Sequence, residues 1–176
     1  MMIMKRMYNL YRIFLFLWIS FVVCIWGIYL YAYISPKIVL NSANRIYLYD
    51  NKEELVFESN NNNDWVSLKD ISMYVTNATI ISEDKSFYNH SGFDYLRIGK
   101  AMFNNIKSGT IVEGASTISQ QYVKNLYLDF NQTWKRKIDE AFLTIKLELR
   151  YSKDEILEGY LNTINYGQGN YGIASA

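Results

Sequence analysis

Four polar clusters follow one another between Glu83 and Gly172: SEDKSFYNHSGFD (82–94), GASTISQQYVKN (114–125), WKRKIDE (134–140) and SKDEILEGYLNTINYGQGNYG (152–172). The first and third place two well-separated glutamates, Glu83 and Glu140, among amides, hydroxyls and cations. A carboxylate can take the proton of an attacking hydroxyl while cations neutralise a departing anion. Such a set suits displacement of a sugar from a phosphate.

Each cluster also has a plain structural reading. Glu83 and Asp84 follow the apolar run ISMYVTNATII. Desolvation at the end of an apolar helix raises a carboxylate's pKa and suits it to act as a base, whereas a Glu-Asp pair at a helix end is ordinarily a solvated terminus. His90, the one histidine, reads more readily as a hydrogen-bonded structural residue than as a ligand or base. In the second cluster Gly114 and Ala115 precede Ser116 and Thr117, so backbone amides at a helix start could face an anion. Gln120 and Lys124 then share a helix face. The alternative is a solvated amide and lysine coat. In the third, Arg136 and Lys137 stand four and three residues before Glu140, the spacing of a surface ion pair worth a few tenths of a kcal/mol. Phe142, Leu143, Ile145, Leu147 and Leu149 on the same run predict that most of this helix is buried.

The elements that must position these groups have local signals. RIYLYD and ELVFES predict two short strands around Asp50, Asn51 and Lys52, and Asn60 to Asn63 a loop. After Asp64 the pattern turns helical. Predicted starts are Ser67, Asp94 before YLRIGKAMF, Ser116 before TISQQYVKNL, and Thr133 before a run to about Arg150. Ser152 with Glu155 forms a capping box for the next helix.

From Ile13 to Ile34 no residue is charged. As a helix this run spans roughly 33 Å, against a hydrocarbon core of about 30 Å. Lys5, Arg6 and Arg12 precede it, Trp18, Trp26, Tyr29, Tyr31 and Tyr33 crowd its ends, and Pro36 and Lys37 close it. The basic flank predicts a cytoplasmic tail at 1–12, a single-pass anchor at 13–34, an extended and hairpin-bearing linker at 35–66, and an extracytoplasmic domain at 67–176. A cleavable signal peptide is the alternative, but YAYIS is a poor match to its small-residue cleavage site. Beyond Pro36 the chain carries fifteen of eighteen Lys and Arg and all seventeen acids, a formal charge of about −2, which argues against nucleic acid as a partner. Cys24 is the single cysteine and lies in the apolar run, so disulfides within the chain and thiolate zinc sites are excluded.

The four clusters in this order closely resemble the peptidoglycan glycosyltransferase family, the transglycosylase domains of class A penicillin-binding proteins and their monofunctional relatives. The matching residues are Glu83, Asp84, Phe87, His90, Gly92 and Asp94, then Gly114, Ser116, Thr117, Gln120, Gln121, Lys124 and Asn125. Arg136, Lys137 and Glu140 come next, and last Ile156, Leu157, Glu158, Tyr160, Leu161, Asn162, Gly167, Tyr171 and Gly172. The resemblance runs from roughly Ile46 to the carboxyl end.

It implies a mostly α, lysozyme-like domain with a small β hairpin, behind one transmembrane helix. It also implies polymerisation of lipid II onto a growing glycan strand at the bacterial cell membrane. Glu83 and Glu140 would be catalytic, Glu83 as the base and Glu140 as organiser of cations and donor. Phe87, Ser116, Thr117, Gln120, Gln121, Lys124, Asn125, Arg136 and Lys137 would bind substrate. Asp84, His90, Gly92, Asp94, Gly114, Glu158, Tyr160 and Asn162 would support the site. A divalent cation, Mg or Mn, and no organic cofactor are expected, with membrane lipid and proteins of a cell-wall synthesis complex as partners. LRIGKAMFNNIKSGTIV would lie on lipid, a role that ordinary core packing of its apolar residues explains equally well. Gln132 stands where many members have a basic residue, so one phosphate contact is expected to be lost or moved to Lys135. Where the chain stops, at YGIASA, the domain is expected to be incomplete. Two other readings stay open: a lysozyme-like hydrolase or lytic transglycosylase with a carboxylate as proton donor, and a non-catalytic, membrane-anchored lipid II-binding module.

Overall fold

The computed structural model describes residues 2–40, 47–49, 54–58, 65–128 and 133–176. They form two compact units, Met1–Pro36 and Lys37–Ala176. The first is one helix, α1 (Met2–Ile34), whose stretch Met4–Ile34 is long and apolar enough to cross a membrane. Its helical conformation runs through residues expected to form a tail, because nothing between Met2 and Arg12 breaks a helix.

In the second unit β1 (Tyr47–Tyr49) pairs antiparallel with β2 (Leu55–Glu58), the expected hairpin. Its turn, the Asn60–Asn63 loop and Gln132 lie outside the described residues. Five helices follow: α2 (Met73–Glu83), α3 (Tyr95–Ser108), α4 (Ile118–Tyr127), α5 (Trp134–Arg150) and α6 (Lys153–Thr163). A second antiparallel pair, β3 (Asn165–Gly167) with β4 (Asn170–Tyr171), closes the described chain before a final turn of 3-10 helix. The fold is thus mostly α with small hairpins behind one apolar helix, the lysozyme-like class that the resemblance implies.

Three helices start where their caps predict. Asp94 accepts from the Arg97 amide at 2.9 Å, Thr133 from Arg136, and Ser152 and Glu155 form a reciprocal box. Hydrogen bonds from the Ser86 hydroxyl and the Arg97 amide hold the Asp94 carboxyl below its usual range, and the Ser152 amide and hydroxyl do the same for Glu155. Two starts move. The box at α4 is Thr117 with Gln120, because Ser116 has Ser119, not a Gln or Glu, three residues on. Ser67 opens only one 3-10 turn, Leu68–Asp70, and α2 begins after Ser72. The chain is held at 66–68 from across the fold: Glu158 accepts from the Leu68 amide at 2.8 Å and from Trp65 Nε1 at 2.7 Å, and Asn162 bonds both backbone polar atoms of Val66.

Residues 37–40, on the stretch expected as an extended linker, belong to this unit. Ile38 is buried in the core, its carbonyl accepts from the Tyr151 hydroxyl, and Lys37 lies 4.5 Å from the Tyr151 ring centroid. The core centres on α4, with Ile118, Tyr122 and Val123 against Leu147 of α5 and Ile156, Leu157 and Leu161 of α6. α5 buries less than its composition predicts: only Glu140, Thr144 and Leu147 are fully enclosed, and Leu149 is exposed.

Gly159 in α6 costs about 1 kcal/mol of helix propensity relative to Ala, and the packing explains its presence. A Cβ there would lie 2.1 Å from Tyr122 Oη and 2.4 Å from Cζ, and Tyr122 is wholly buried. Gly159→Ala is therefore expected to destabilise the fold by about 2 kcal/mol despite its better propensity, lowering the melting temperature by about 5 °C. A thermal scan by circular dichroism checks this, and an unchanged or raised midpoint would contradict it.

Candidate active site

The site is built outward from the first turns of α4. Glu83 is the last residue of α2 and half-buried, and its Oε2 accepts from Gln121 Nε2 at 2.8 Å. Its backbone carbonyl accepts from the Arg97 guanidinium, which also reaches the Gly114 carbonyl at 3.5 Å. On the neighbouring face of α4, Gln120 Nε2 donates to Glu140 at 3.3 Å. Glu140 is 2% exposed and also accepts from Arg136 at 2.7 Å and from Lys137. Adjacent glutamines of one helix thus tie down the two glutamates, with different settings. Glu83 faces an amide, whereas Glu140 is committed to two cations and a second amide.

Asp84, wholly buried beside Glu83, closes a network beneath the site. It accepts from the Ile118 amide at 3.1 Å and from His90 Nε2 at 3.0 Å, while His90 Nδ1 accepts from the Gly92 amide at 3.2 Å. With Nδ1 as acceptor, the imidazole carries its proton on Nε2 and bonds Asp84 as a donor. Gly92 has φ +91°, and a Cβ there would meet Thr144 Cγ2 at 2.8 Å. Its carbonyl accepts from Thr117 Oγ1 at 2.7 Å.

An open groove of ≈ 1110 Å³ runs between α3 and the start of α5. Ile98, Met102 and Ile106 give it an apolar side, and Ser116, Arg136 and Lys137 a polar and cationic one. Ile111 on its lining, and Leu96 and Phe103 of α3, are exposed by 67% or more. The described residues hold no group of three or more His, Cys, Asp or Glu able to grip a metal ion, and both Glu140 oxygens are taken by cations and an amide. Among the described residues this donor set offers no ready-made cage for a divalent ion.

A family model described as Transglycosylase matches residues 50–176, a stretch that includes every residue of this arrangement. The chain belongs to the transglycosylase family. It is 58% identical over 112 residues to penicillin-binding protein 2D of Bacillus subtilis (strain 168), covering 64% of this chain and 16% of that protein. It is 47% identical over 123 residues to a biosynthetic peptidoglycan transglycosylase of Mannheimia succiniciproducens, covering 70% of this chain and 50% of the relative. A further relative, penicillin-binding protein 1F of Bacillus subtilis, is 40% identical over 142 residues, 81% of this chain and 20% of that protein. The chain spans half or less of the length of these relatives.

Within this transglycosylase domain the expected substrate-binding residues divide. Ser116, Arg136 and Lys137 line the groove, Lys124 is half-buried on α4, and Asn125 is exposed at its outer end. Three placements correct the expectation. Phe87 is wholly buried, edge-on to Tyr88 and under Lys153 Nζ at 4.5 Å, so it packs rather than touches substrate. Thr117 is buried, spending its hydroxyl on Gly92 and the helix cap. Gln120, 5% exposed, spends its oxygen on the Thr117 amide and its nitrogen on Glu140. The anion foreseen at the α4 start is met from within the protein, since Asp84 takes the Ile118 amide.

Among the support residues, Glu158 and Asn162 hold segment 65–68, and Tyr160 bonds Gln121. Arg97 was not singled out from sequence. Its one signal is a lone arginine three residues after the Asp94 cap, and the bond it makes, to Glu83 fourteen residues earlier, has no local signature.

Proposed function

We propose that the chain carries the glycosyl-transfer site of a peptidoglycan glycosyltransferase that polymerises lipid II. Glu83 removes the proton of the acceptor's GlcNAc 4-hydroxyl as that oxygen attacks C1 of the donor's MurNAc. The C1–O bond to the lipid pyrophosphate breaks with inversion, and the electron pair leaves on undecaprenyl pyrophosphate. A pyrophosphate needs its departing charge neutralised more than protonated. Arg136, Lys137 and Lys124 supply that charge, and Glu140 fixes the first two in place.

The observation that carries this reading is the unequal setting of the two glutamates. Glu83 faces an amide donor and is half-open, as a proton acceptor must be, whereas Glu140 is buried and held by cations. The groove beside Arg136 and Lys137 has the mixed apolar and cationic character that a lipid-linked pyrophosphate calls for. Any Mg or Mn would come with the pyrophosphate itself, and no step of the reaction needs one held by the protein. α1 would anchor the domain with its amino terminus in the cytoplasm, and the exposed apolar residues of α3 would face lipid.

The test is incubation of the full chain in detergent with labelled lipid II, read by gel electrophoresis. A ladder of glycan polymer is expected. Cleavage of finished glycan without polymer would replace this reading by a hydrolase or lytic transglycosylase, and lipid II binding without turnover by a binding module.

A further inference from the structure

The geometry points to Tyr160 as a positioning residue that sets Glu83 through the Gln121 side-chain amide, an inference that rests on Glu83 being the base. Tyr160 lies on α6, is 3% exposed, and sends its hydroxyl to Gln121 Oε1 at 3.1 Å. The other end of the same amide, Nε2, meets Glu83 Oε2 at 2.8 Å. A glutamine side chain has one accepting and one donating end. Tyr160 occupies the accepting end, so the donating end faces the carboxylate.

The relay holds only if the phenol keeps its proton. Burial, with the nearby Glu83 charge as a lesser cause, pushes Tyr160 well above the ordinary tyrosine range, so it stays a donor throughout the working range of pH. Without that hydroxyl the amide loses its anchor and rotates away from Glu83. A hydrogen bond to an ionised carboxylate favours the ionised form. Its loss takes that support from the reacting carboxylate.

The other charged groups around Glu83 do not replace the relay. Arg97 of α3 is aimed at its backbone carbonyl, and Asp84 at its side is spent on His90 and the Ile118 amide. Gln121, expected from the resemblance to bind substrate, has both ends engaged inside the protein, which makes it part of the base's mounting.

The test measures lipid II polymerisation across pH for the full chain, Tyr160→Phe, Gln121→Met, the double variant and Glu83→Gln. Tyr160→Phe is expected to lower kcat about three- to tenfold, the scale of one charge-assisted hydrogen bond, with KM within about twofold of the parent's. The acid limb of its rate profile should move up. Gln121→Met should show the same displacement, and adding Tyr160→Phe to it should change nothing further, because the tyrosine acts through the amide. A parent-like acid limb in Tyr160→Phe, or effects that add in the double variant, would overturn the inference while leaving Glu83 as base. If Tyr160→Phe does not fold, the Gln121→Met profile decides, and an unmoved acid limb overturns the inference. A silent parent, or a Glu83→Gln variant that still polymerises, removes the reading beneath it, and the inference goes too.

Discussion

Glu83→Gln is expected to cut lipid II polymerisation by about a thousandfold, the middle of the range for removing a positioned general base, while the melting temperature stays within about 2 °C of the parent's. The substitution is nearly isosteric at a half-buried position on the last turn of α2. The new amide still presents an oxygen to Gln121 Nε2, so the one side-chain hydrogen bond described for Glu83 survives. The Arg97 bond is made to the backbone carbonyl and does not depend on the side chain. What disappears is the capacity to hold a proton. Gel-resolved polymerisation paired with a thermal scan separates the outcomes. Retained activity would take the base assignment away from Glu83, and lost activity with a collapsed melting temperature would make its role structural.

The parts of this arrangement that were readable in the chain are those written within one helical turn. Asp94, Thr133 and Ser152 cap where the sequence predicts, because a cap and the amide it satisfies are three residues apart. The apolar α1 is equally local. What local sequence does not show depends on partners far along the chain. Nothing near Ser67 shows that Glu158, ninety residues later, takes the Leu68 amide, so a single 3-10 turn stood in for a helix start. The resemblance implies that Phe87 and Gln120 touch ligand, yet the fold buries both side chains. Gly159 reads as a propensity defect until Tyr122 is seen against it. The β3–β4 hairpin is too short for an alternating pattern. Its signal is the turn itself, where Gly167, Gln168 and Gly169 all take positive φ. The order of the four clusters was legible, whereas the pairing of Gln120 with Glu140 and of Gln121 with Glu83 emerges only from the packing of α4.

Glu140→Gln is expected to be the second most damaging change to activity, for a reason different from that at Glu83. Here the carboxylate is 2% exposed and accepts from three side chains: Arg136 and Lys137 one turn away on α5, and Gln120 on α4. A glutamine keeps one acceptor and turns its NH2 toward a group that is itself a donor. A cation beside a buried site then loses its counter-charge. Removing one partner of a fully buried pair costs about 3–5 kcal/mol. The Lys137 side chain is 43% exposed and can turn toward water, whereas that of Arg136 is 15% exposed, and a cost of about 2 kcal/mol is expected. Once Lys137 turns outward, the two cations no longer point together into the groove they line, and the leaving pyrophosphate loses electrostatic support. Polymerisation should therefore fall at least about a hundredfold, with KM for lipid II rising as kcat falls, since the same cations hold the donor before and during reaction. At Glu83 the loss falls on kcat alone. Steady-state kinetics of the two variants side by side would show this split. An unchanged KM in Glu140→Gln would mean that Glu140 does not organise donor binding through Arg136 and Lys137.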